Sequence, residues 1–396
     1  MKVGIYGGAF DPFHKGHLSM IRGAIASGAV DQVIVIPTGM PPFKPARAAS
    51  LSPYRYYMTL DALKDEPHCT VSDIEQVFGE PSYTVRTLDL LREKKIVHAK
   101  DKLYLMCGTD ILFDFDSWYE PKSILEKATL LVAKRPGIPD DQVKEAVSHI
   151  ESTFSTKIHF FDIKGVEVAS SEIRIEENYE DDVPESVAKF IRRHDLYAHD
   201  APLSGVSDAM YAKLIELSFR LFDELSEKRL LHSMNTAIVA TRYAVRFGVN
   251  PDQCAIAGLL HDCAKELPLE TQIALSAKII TEYIPGKEIL HSPAGAQYAH
   301  EHFGVEDKVV LDAIQYHTVG REIMTPVEKV VYLADKLEPS RDYDDLSTIR
   351  SYAEKDLNAA LIECYCAIKE SFARKGKCIH EDTQKSLAYL LANRSQ

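Results

Sequence analysis

Apolar and polar residues alternate differently in the two halves of this chain. In the first half, short apolar runs such as "KVGIYGG", "VDQVIVIPT", "DKLYLMCGTD" and "ATLLVAKRPG" are interleaved with amphipathic stretches such as "KGHLSMIRGAIASG" and "YRYYMTLDALKD". The β-branched runs are typical of strands buried on both faces, and the amphipathic stretches predict helices. Strands that alternate with helices predict a parallel sheet with right-handed crossovers.

The second half consists mainly of helical patterns. The segments "MYAKLIELSFRLFDELS", "HSMNTAIVATRYAVRFG" and "PDQCAIAGLLHDCAKEL" carry apolar residues at i, i+3 and i+4. The stretch "HDAPLSGVSD" before them is rich in turn residues and poor in apolar ones. The sequence therefore predicts an α/β domain over residues 1–199, a linker over 200–206 and an all-α domain over 207–396.

Composition narrows the class of protein. The 396 residues suit two domains, and 45% apolar with 27% charged residues is an ordinary globular mix. The chain contains no apolar run of about 18–20 residues and no signal peptide, so we expect a cytoplasmic protein without a membrane anchor. Seven scattered cysteines argue against a disulfide framework. The net charge of −13 disfavours binding to long nucleic acid but not to nucleotides, and a homo-oligomer stays open.

The segment "GGAFDPFHKGH" directly follows the first predicted strand. Gly7 and Gly8 allow a sharp turn and a close approach of backbone to a ligand. His14 and His17 are three residues apart and share one face if a helix starts there. Helix N-termini and the carboxyl ends of parallel strands are both favoured places for phosphate. The segment predicts a site for an anion whose charge grows in the transition state.

A second phosphate-binding element is predicted in "VASSEIRI". Ser170, Ser171 and Arg174 place two hydroxyls and a guanidinium at a helix start, a combination that suits phosphate oxygens. Taken alone, the stretch is more typical of a helix N-cap. Its pairing with the histidine segment favours phosphate binding.

Together these motifs resemble the nucleotidylyltransferase superfamily, and residues 1–199 resemble bacterial nicotinate-mononucleotide adenylyltransferases. The further similar segments are "VIPTGMPPFKP", "PSYTVRTL", "CGTDILFDFDSWYEP", "AKRPG" and "VPESVAKFIRRHDLY". Phosphopantetheine adenylyltransferases share the two phosphate motifs and are the alternative. They are shorter and lack the Tyr-Thr and Gly-x-Asp…Trp segments found here.

The resemblance implies a Rossmann-like fold that transfers AMP from Mg²⁺-ATP to nicotinate mononucleotide, releasing pyrophosphate. It implies that His14, His17, Lys44 and Arg174 are catalytic. It assigns the ATP site to Gly7, Gly8, Phe10, His14, His17, Ser170, Ser171 and Arg174, and the nicotinate-nucleotide site to Lys44, Thr84, Thr109, Asp110, Trp118 and Arg135. Trp118 by itself is equally typical of a core residue. Phe43 stands where the family usually has a histidine, so one imidazole near the phosphates is missing, which bears on the rate rather than on the reaction class.

A different set of residues marks the second half. Separate helical segments contribute His232, His261, Asp262, His291, His317 and Asp335. A lone buried histidine is usually structural. Four histidines and two aspartates within helical patterns predict a site in the bundle interior. Mixed histidine and carboxylate ligands suit iron, manganese or zinc rather than calcium. Six ligands exceed the need of one tetrahedral ion and indicate two metals bridged by Asp262.

This H…HD…H…H…D pattern resembles the HD-domain phosphohydrolases. Residues 207–396 resemble the bacterial branch that hydrolyses diadenosine tetraphosphate to two ADP, through "HSMNTA", "GLLHDCAKELP" and "AIQYHTVGREIMTPVEKVVYLADKLEPSRDYDDL". The resemblance implies two iron ions, and a metal pair supplies hydroxide at neutral pH. Lys265 and Arg321 are candidate phosphate ligands, although either is equally typical of a charged surface residue.

We therefore expect a bifunctional enzyme with ATP, nicotinate mononucleotide and diadenosine tetraphosphate as its ligands. In one alternative, the helical domain is a degenerate nucleotide sensor that tunes the first domain; the presence of all six candidate ligands argues against it. In another, the helical domain acts on a cyclic dinucleotide, an RNA end or a deoxynucleotide.

Overall fold

A computed structural model describes residues 1–41, 50–77, 79, 81–134, 138–163, 168–175, 178–197, 203–280, 286–343 and 345–393. Contacts divide the chain into two compact units, Met1–Arg192 and Arg193–Gln396. The predicted site residues Lys44 and Arg135 lie outside the described residues, as do Phe43 and part of the predicted linker.

The first unit is built on a parallel sheet of six strands in the order β3-β2-β1-β4-β5-β6. The strands are β1 (Lys2–Gly8), β2 (Gln32–Pro37), β3 (Cys69–Val71), β4 (Lys102–Gly108), β5 (Ala128–Lys134) and β6 (His159–Asp162). The strand order reverses between β1 and β4, which is where ligands bind in open α/β sheets. The predicted Rossmann-like α/β fold is confirmed.

Apolar residues cover both faces of this sheet. On one face, alternate residues such as Val3, Ile5 and Leu105 join a core with helix residues such as Leu88 and Leu91. The intervening strand residues are also buried, as the continuous apolar runs predict. The short edge strands β3 and β6 lack such runs, and the apolar pattern does not predict them.

Eight helices accompany the sheet among the described residues. They are α1 (Lys15–Ala26), α2 (Ser52–Leu63), α3 (Thr84–Glu93), α4 (Ile111–Asp114), α5 (Pro121–Lys127), α6 (Asp140–Phe154), α7 (Ser170–Ile173) and α8 (Glu185–His194).

The second unit is helical throughout the part that the structure describes. Its helices are α9 (Asp208–Glu224), α10 (Glu227–Phe247), α11 (Pro251–Leu260), α12 (Leu269–Ser276), α13 (His291–Phe303), α14 (Lys308–Tyr316), α15 (Pro326–Leu337), α16 (Leu346–Ala353), α17 (Leu357–Arg374) and α18 (Glu381–Ala392). Within the described ranges, no helix is both long and apolar enough to cross a membrane.

Helices α10 and α11 pack closely because α11 carries Gly258 at their contact. A Cβ at Gly258 would stand 2.9 Å from the Cα of Ala237. The helical pattern predicted through Leu267 stops as α-helix at Leu260, and tighter turns follow, with Cys263 N donating to Leu260 O. The change places His261 and Asp262 at the end of α11, where both side chains are buried.

Candidate functional site

The predicted histidine pair caps helix α1. His14 is the N-cap, and its Nδ1 accepts from His17 N at 3.3 Å, while His17 Nδ1 accepts from His14 N at 3.1 Å. The two rings stack with centroids 3.5 Å apart. Because each Nδ1 accepts a backbone N–H, the hydrogen-bond pattern assigns the proton of each neutral ring to Nε2. Both imidazoles are thus held as donors at the end of β1.

The Ser-Arg motif contacts the loop that carries these histidines. Ser170 Oγ donates to Pro12 O at 3.1 Å, and Arg174 Nη1 donates to Asp11 O at 2.7 Å. The N-cap of α7 is Ala169, which offers no side-chain cap. These two hydrogen bonds join residues that are 158 and 163 positions apart in the sequence. The structure therefore brings the two distant motifs together.

A cavity of about 280 Å³ opens where the strand order reverses. The ends of β1 and β4 and the start of α3 line it, and its wall includes five predicted residues: Gly7, Gly8, Thr84, Asp110 and Trp118. Trp118 also packs against the apolar core of the sheet. Thr109 is buried and is not among the lining residues, and its Oγ1 finds no partner in the described part of the chain.

The wall of this cavity also contains a carboxylate that the sequence did not suggest. Glu75 accepts from Thr87 Oγ1 at 2.6 Å and from Gly39 N at 3.4 Å. Burial raises its pKa, although these hydrogen bonds oppose the effect. Glu75 thereby ties the end of β2 to α3.

In the second unit, all six predicted ligands converge in a buried cluster. Groups of these residues place their ligand atoms within 4.8 Å of one another, and every member is buried. The members are His232, His261, Asp262, His291, His317 and Asp335. His261 and His317 stand at the C-terminal ends of α11 and α14, where the helix dipole favours a positive charge.

Three of the histidines present Nε2 to the cluster because Nδ1 is occupied. His261 Nδ1 pairs with Gly258 O and His317 Nδ1 with Ile314 O, both at 2.7 Å. His232 Nδ1 pairs with Glu338 Oε1 at 3.0 Å. An acceptor at Nδ1 fixes the tautomer and leaves the Nε2 lone pair for a metal.

Asp262 lies between two groups of imidazoles. Its Oδ1 is 3.2 Å from His291 Nε2 and 3.5 Å from His317 Nε2, and its Oδ2 is 3.5 Å from His261 Nε2. Asp335 completes the second group, with Oδ1 3.0 Å from His232 Nε2. This arrangement matches two adjacent sites that share one carboxylate.

The donor set fits divalent cations. His232 Nε2 and His261 Nε2 are 3.1 Å apart. Each ring donates its Nδ1 proton elsewhere, so neither neutral ring has a proton to place between the two Nε2 atoms. Burial lowers the pKa of His261, but Asp262 and Asp335 outweigh it and raise that pKa to about 9. Asp262 Oδ1 has charged-pair distances to His291 and His317 but no hydrogen bond of good geometry among the described residues. A metal between these atoms would replace the proton and satisfy the oxygen.

Among the described residues, four cations lie around the cluster, and the sequence predicted Lys265 alone of these four. Lys265 Nζ lies 2.9 Å from His291 Nε2, Arg229 pairs with Asp262, Lys336 pairs with Asp335, and Arg341 Nη2 lies 2.7 Å from Asp335 Oδ1. Spacing could have identified Arg229, which is one helical turn before His232. Positive charge concentrated beside a buried cluster suits an anionic ligand.

Arg321, the other predicted phosphate ligand, points to a different partner. Its Nε donates to Glu328 Oε2 at 2.8 Å, and its guanidinium stacks on the ring of Tyr316. Glu328 is 1% exposed, so Arg321 neutralises a buried carboxylate.

Three further residues form a hydrogen-bonded relay behind His232. Glu338 accepts from His232 Nδ1, and its Oε2 accepts from Asn235 Nδ2 at 2.8 Å. The same Asn235 amide lies 3.0 Å from His194 Nδ1. Glu338 belongs to the segment "ADKLEPSR", in which the sequence pointed only to Asp335.

Comparison with known proteins gives a family for each unit. The cytidylyltransferase-like family model matches residues 5–176, and the HD domain model matches residues 229–340. Over 365 residues the chain is 27% identical to the probable nicotinate-nucleotide adenylyltransferase/Ap4A hydrolase of Mycoplasma pneumoniae, covering 90% of this chain and 96% of that protein.

Two relatives match about half of the chain. The probable nicotinate-nucleotide adenylyltransferase of Clostridium tetani is 34% identical over 200 residues, which is 50% of this chain and 98% of that protein. The symmetrical bis(5'-nucleosyl)-tetraphosphatase of Bacillus subtilis is 36% identical over 172 residues, which is 43% of this chain and 92% of that protein. The chain therefore belongs to the nicotinate-nucleotide adenylyltransferase family and carries, in the same polypeptide, an HD domain of the symmetrical bis(5'-nucleosyl)-tetraphosphatase family.

Proposed function

We propose that this protein is a bifunctional enzyme of nucleotide metabolism. Its first unit transfers AMP from ATP to nicotinate mononucleotide, giving nicotinate adenine dinucleotide and pyrophosphate. Its second unit hydrolyses diadenosine tetraphosphate to two ADP. The observation that carries the proposal is the match over 90% of the chain to a relative named for both activities.

In the proposed transfer, the phosphate of nicotinate mononucleotide attacks the α-phosphorus of ATP in line, and pyrophosphate leaves. His14 and His17 donate from Nε2 to the phosphoryl oxygens, which gain charge in the transition state. Ser170, Ser171 and Arg174 bind the departing phosphates, and Mg²⁺ accompanies ATP. The cavity at the strand reversal receives the nicotinate nucleotide, with Trp118 against the pyridine ring.

For the proposed hydrolysis, His232, His261, Asp262 and Asp335 would hold one divalent cation. Asp262, His291 and His317 would hold the other, and we propose iron for both. When bound, such a pair acidifies water and neutralises phosphate charge. Arg229, Lys265, Lys336 and Arg341 leave their carboxylate and imidazole partners and hold the tetraphosphate chain, while Arg321 keeps its partner Glu328.

The organisation of the chain is part of the proposal. We propose 1–199 and 207–396 as the two catalytic domains and 200–206 as the linker; the division into compact units falls between Arg192 and Arg193. A cytoplasmic location is supported by the seven cysteines, which form no disulfide in the described part of the chain.

Product analysis on the purified full-length chain tests the proposal. With ATP, we expect nicotinate adenine dinucleotide from nicotinate mononucleotide and much less product from nicotinamide mononucleotide or phosphopantetheine. After loading with Fe²⁺, we expect diadenosine tetraphosphate to give two ADP rather than ATP and AMP. If the tetraphosphate is bound but not cleaved and changes the rate of the first reaction, the helical unit is a sensor and the hydrolase proposal is wrong.

A further inference from the structure

Arg55 is a buried guanidinium that connects three segments near the cavity at the strand reversal. It lies on α2 and is 1% exposed. Its Nη1 donates to Ala9 O at 2.8 Å, and its Nη2 donates to Gly39 O at 3.2 Å. Its Nε donates to Ser50 O at 3.0 Å. Because the donors of arginine form a fixed planar fork, one side chain holds the loop after β1, the turn after β2 and the start of α2 together.

The loop after β1 has a conformation that needs such support. Phe10 has a φ of +49°, in the left-handed region that a residue other than glycine adopts at a cost. Such a residue keeps this conformation only where its surroundings hold it. Ala9 O, on one side of Phe10, accepts from Arg55. Asp11 O, on the other side, accepts from Arg174 Nη1 at 2.7 Å. Two guanidiniums thus hold the loop that leads into the histidine pair.

The turn after β2 is held from two sides. Gly39 O accepts from Arg55, while Gly39 N donates to Glu75 Oε2 at 3.4 Å. A Cβ at Gly39 would stand 1.8 Å from Glu75 O, so the two segments meet backbone to backbone. Glu75 in turn accepts from Thr87 Oγ1 of α3. Glu75 and Thr87 line the cavity, whereas Arg55 is not among its lining residues. Arg55 therefore supports the cavity from outside it.

We infer that Arg55 is a positioning residue of the transfer reaction. It fixes the backbone of the loop after β1 and, through that loop, the two imidazoles at the start of α1. The inference rests on the proposed transfer of AMP and adds to it a residue outside the cavity. Donors to a developing charge depend on their exact position, so loss of this support lowers kcat more than it weakens substrate binding.

Arg55→Lys keeps the positive charge and removes the fork of donors. We expect kcat for formation of nicotinate adenine dinucleotide to fall about 10²-fold, as when reacting groups are misplaced by about 1 Å. KM for nicotinate mononucleotide changes less than threefold. A normal kcat in Arg55→Lys beside an active wild type would overturn the inference alone. No transfer by the wild type would refute the proposed function and the inference with it.

Thr59→Val is the matched control. Thr59 is buried one turn further along α2, and its Oγ1 donates to Arg55 O at 2.7 Å. Loss of this hydrogen bond lowers stability but leaves the three bonds of the guanidinium in place. We expect a lower unfolding midpoint, followed by the fluorescence of Trp118, the only tryptophan, and the kcat of the wild type. An equal fall of kcat in Thr59→Val and Arg55→Lys would show that the rate follows the stability of α2 and would contradict the inference.

Combination with His17→Ala tests whether Arg55 acts through the histidine pair. Residues that act through one another have non-additive effects. In the His17→Ala background we expect Arg55→Lys to lower kcat by about tenfold or less, because one of the two imidazoles that Arg55 positions is already absent. A further fall of about 10²-fold would overturn the inference, since Arg55 would then support the rate by another route.

Discussion

The two candidate sites differ in the amount of charge that they bury. In the first unit, two neutral imidazoles are fixed by backbone hydrogen bonds at the start of α1. In the second, four imidazoles and two carboxylates are buried together, with four cations around them. In the first site, backbone hydrogen bonds hold both imidazoles in place before any charged substrate binds. The second converges on Asp262 and Asp335 as candidate metal ligands, so its variants should change metal binding as well as rate.

Loss of the shared carboxylate should have the largest effect. Asp262→Asn removes the charge that both groups of imidazoles face. We expect hydrolysis of diadenosine tetraphosphate to fall by about 10³-fold or more and bound metal to fall from two ions to one or none. Formation of nicotinate adenine dinucleotide by the same sample is the control and stays unchanged. Retention of both metals would break the bridging assignment.

The first site should respond to the loss of one donor without any change in metal. In His17→Ala we expect transfer to fall by about 10²–10³-fold, as when one preorganised donor to a developing charge is removed. Iron content and hydrolysis by the second unit remain at wild-type values. Fluorescence of Trp118, which lies in the first unit, monitors whether that unit stays folded. Normal transfer in a folded variant would show that the histidine pair is structural.

The relay behind His232 should set metal affinity. Glu338→Gln keeps the shape but weakens the acceptor for His232 Nδ1, so we expect metal affinity to drop about 10–100-fold. Ser233→Ala is the control, because this buried neighbour has a hydroxyl without a partner in the described part of the chain. Equal metal affinity in the two variants would refute the relay's role.

Helix packing should matter less than ligand chemistry. Gly258→Ala places a Cβ 2.9 Å from the Ala237 Cα, and backbone yields less readily than a side chain. We expect a loss of about 1–3 kcal/mol in the free energy of unfolding of the helical unit. Gly286→Ala should stay close to wild type, because within the described ranges the added Cβ would meet Glu288 Oε2 alone, at 3.5 Å. Chemical denaturation measures both.

The last predicted effect is a pH dependence of stability, similar in size to the effect of Gly258→Ala. Burial lowers the pKa of His194 to about 4, against about 6.5 in an unfolded chain. Below pH ~6.5 the unfolded chain therefore binds a proton that the folded protein does not, and stability falls until pH ~4, by up to about 3 kcal/mol. His194→Gln cannot be protonated and should lose less stability between pH 7 and 5. Identical slopes for the two proteins in urea denaturation would contradict the assignment.

Local patterns predicted the parallel sheet, the helical bundle and the six residues of the cluster. The period of the apolar residues, the turn residues and the spacing of the histidines can all be read along the chain. The sequence did not predict the relay because its hydrogen bonds join distant residues. Asn235 and Glu338, for example, are 103 positions apart.

Titration of metal into the chelated full-length chain tests the central claim most directly. We predict that hydrolysis of diadenosine tetraphosphate appears only as the second equivalent of Fe²⁺ binds. Transfer, assayed separately with Mg²⁺-ATP, stays constant along the same titration. Full hydrolysis with one equivalent or none, or a transfer rate that follows the iron content, would contradict the account of a two-metal site beside an independent transferase.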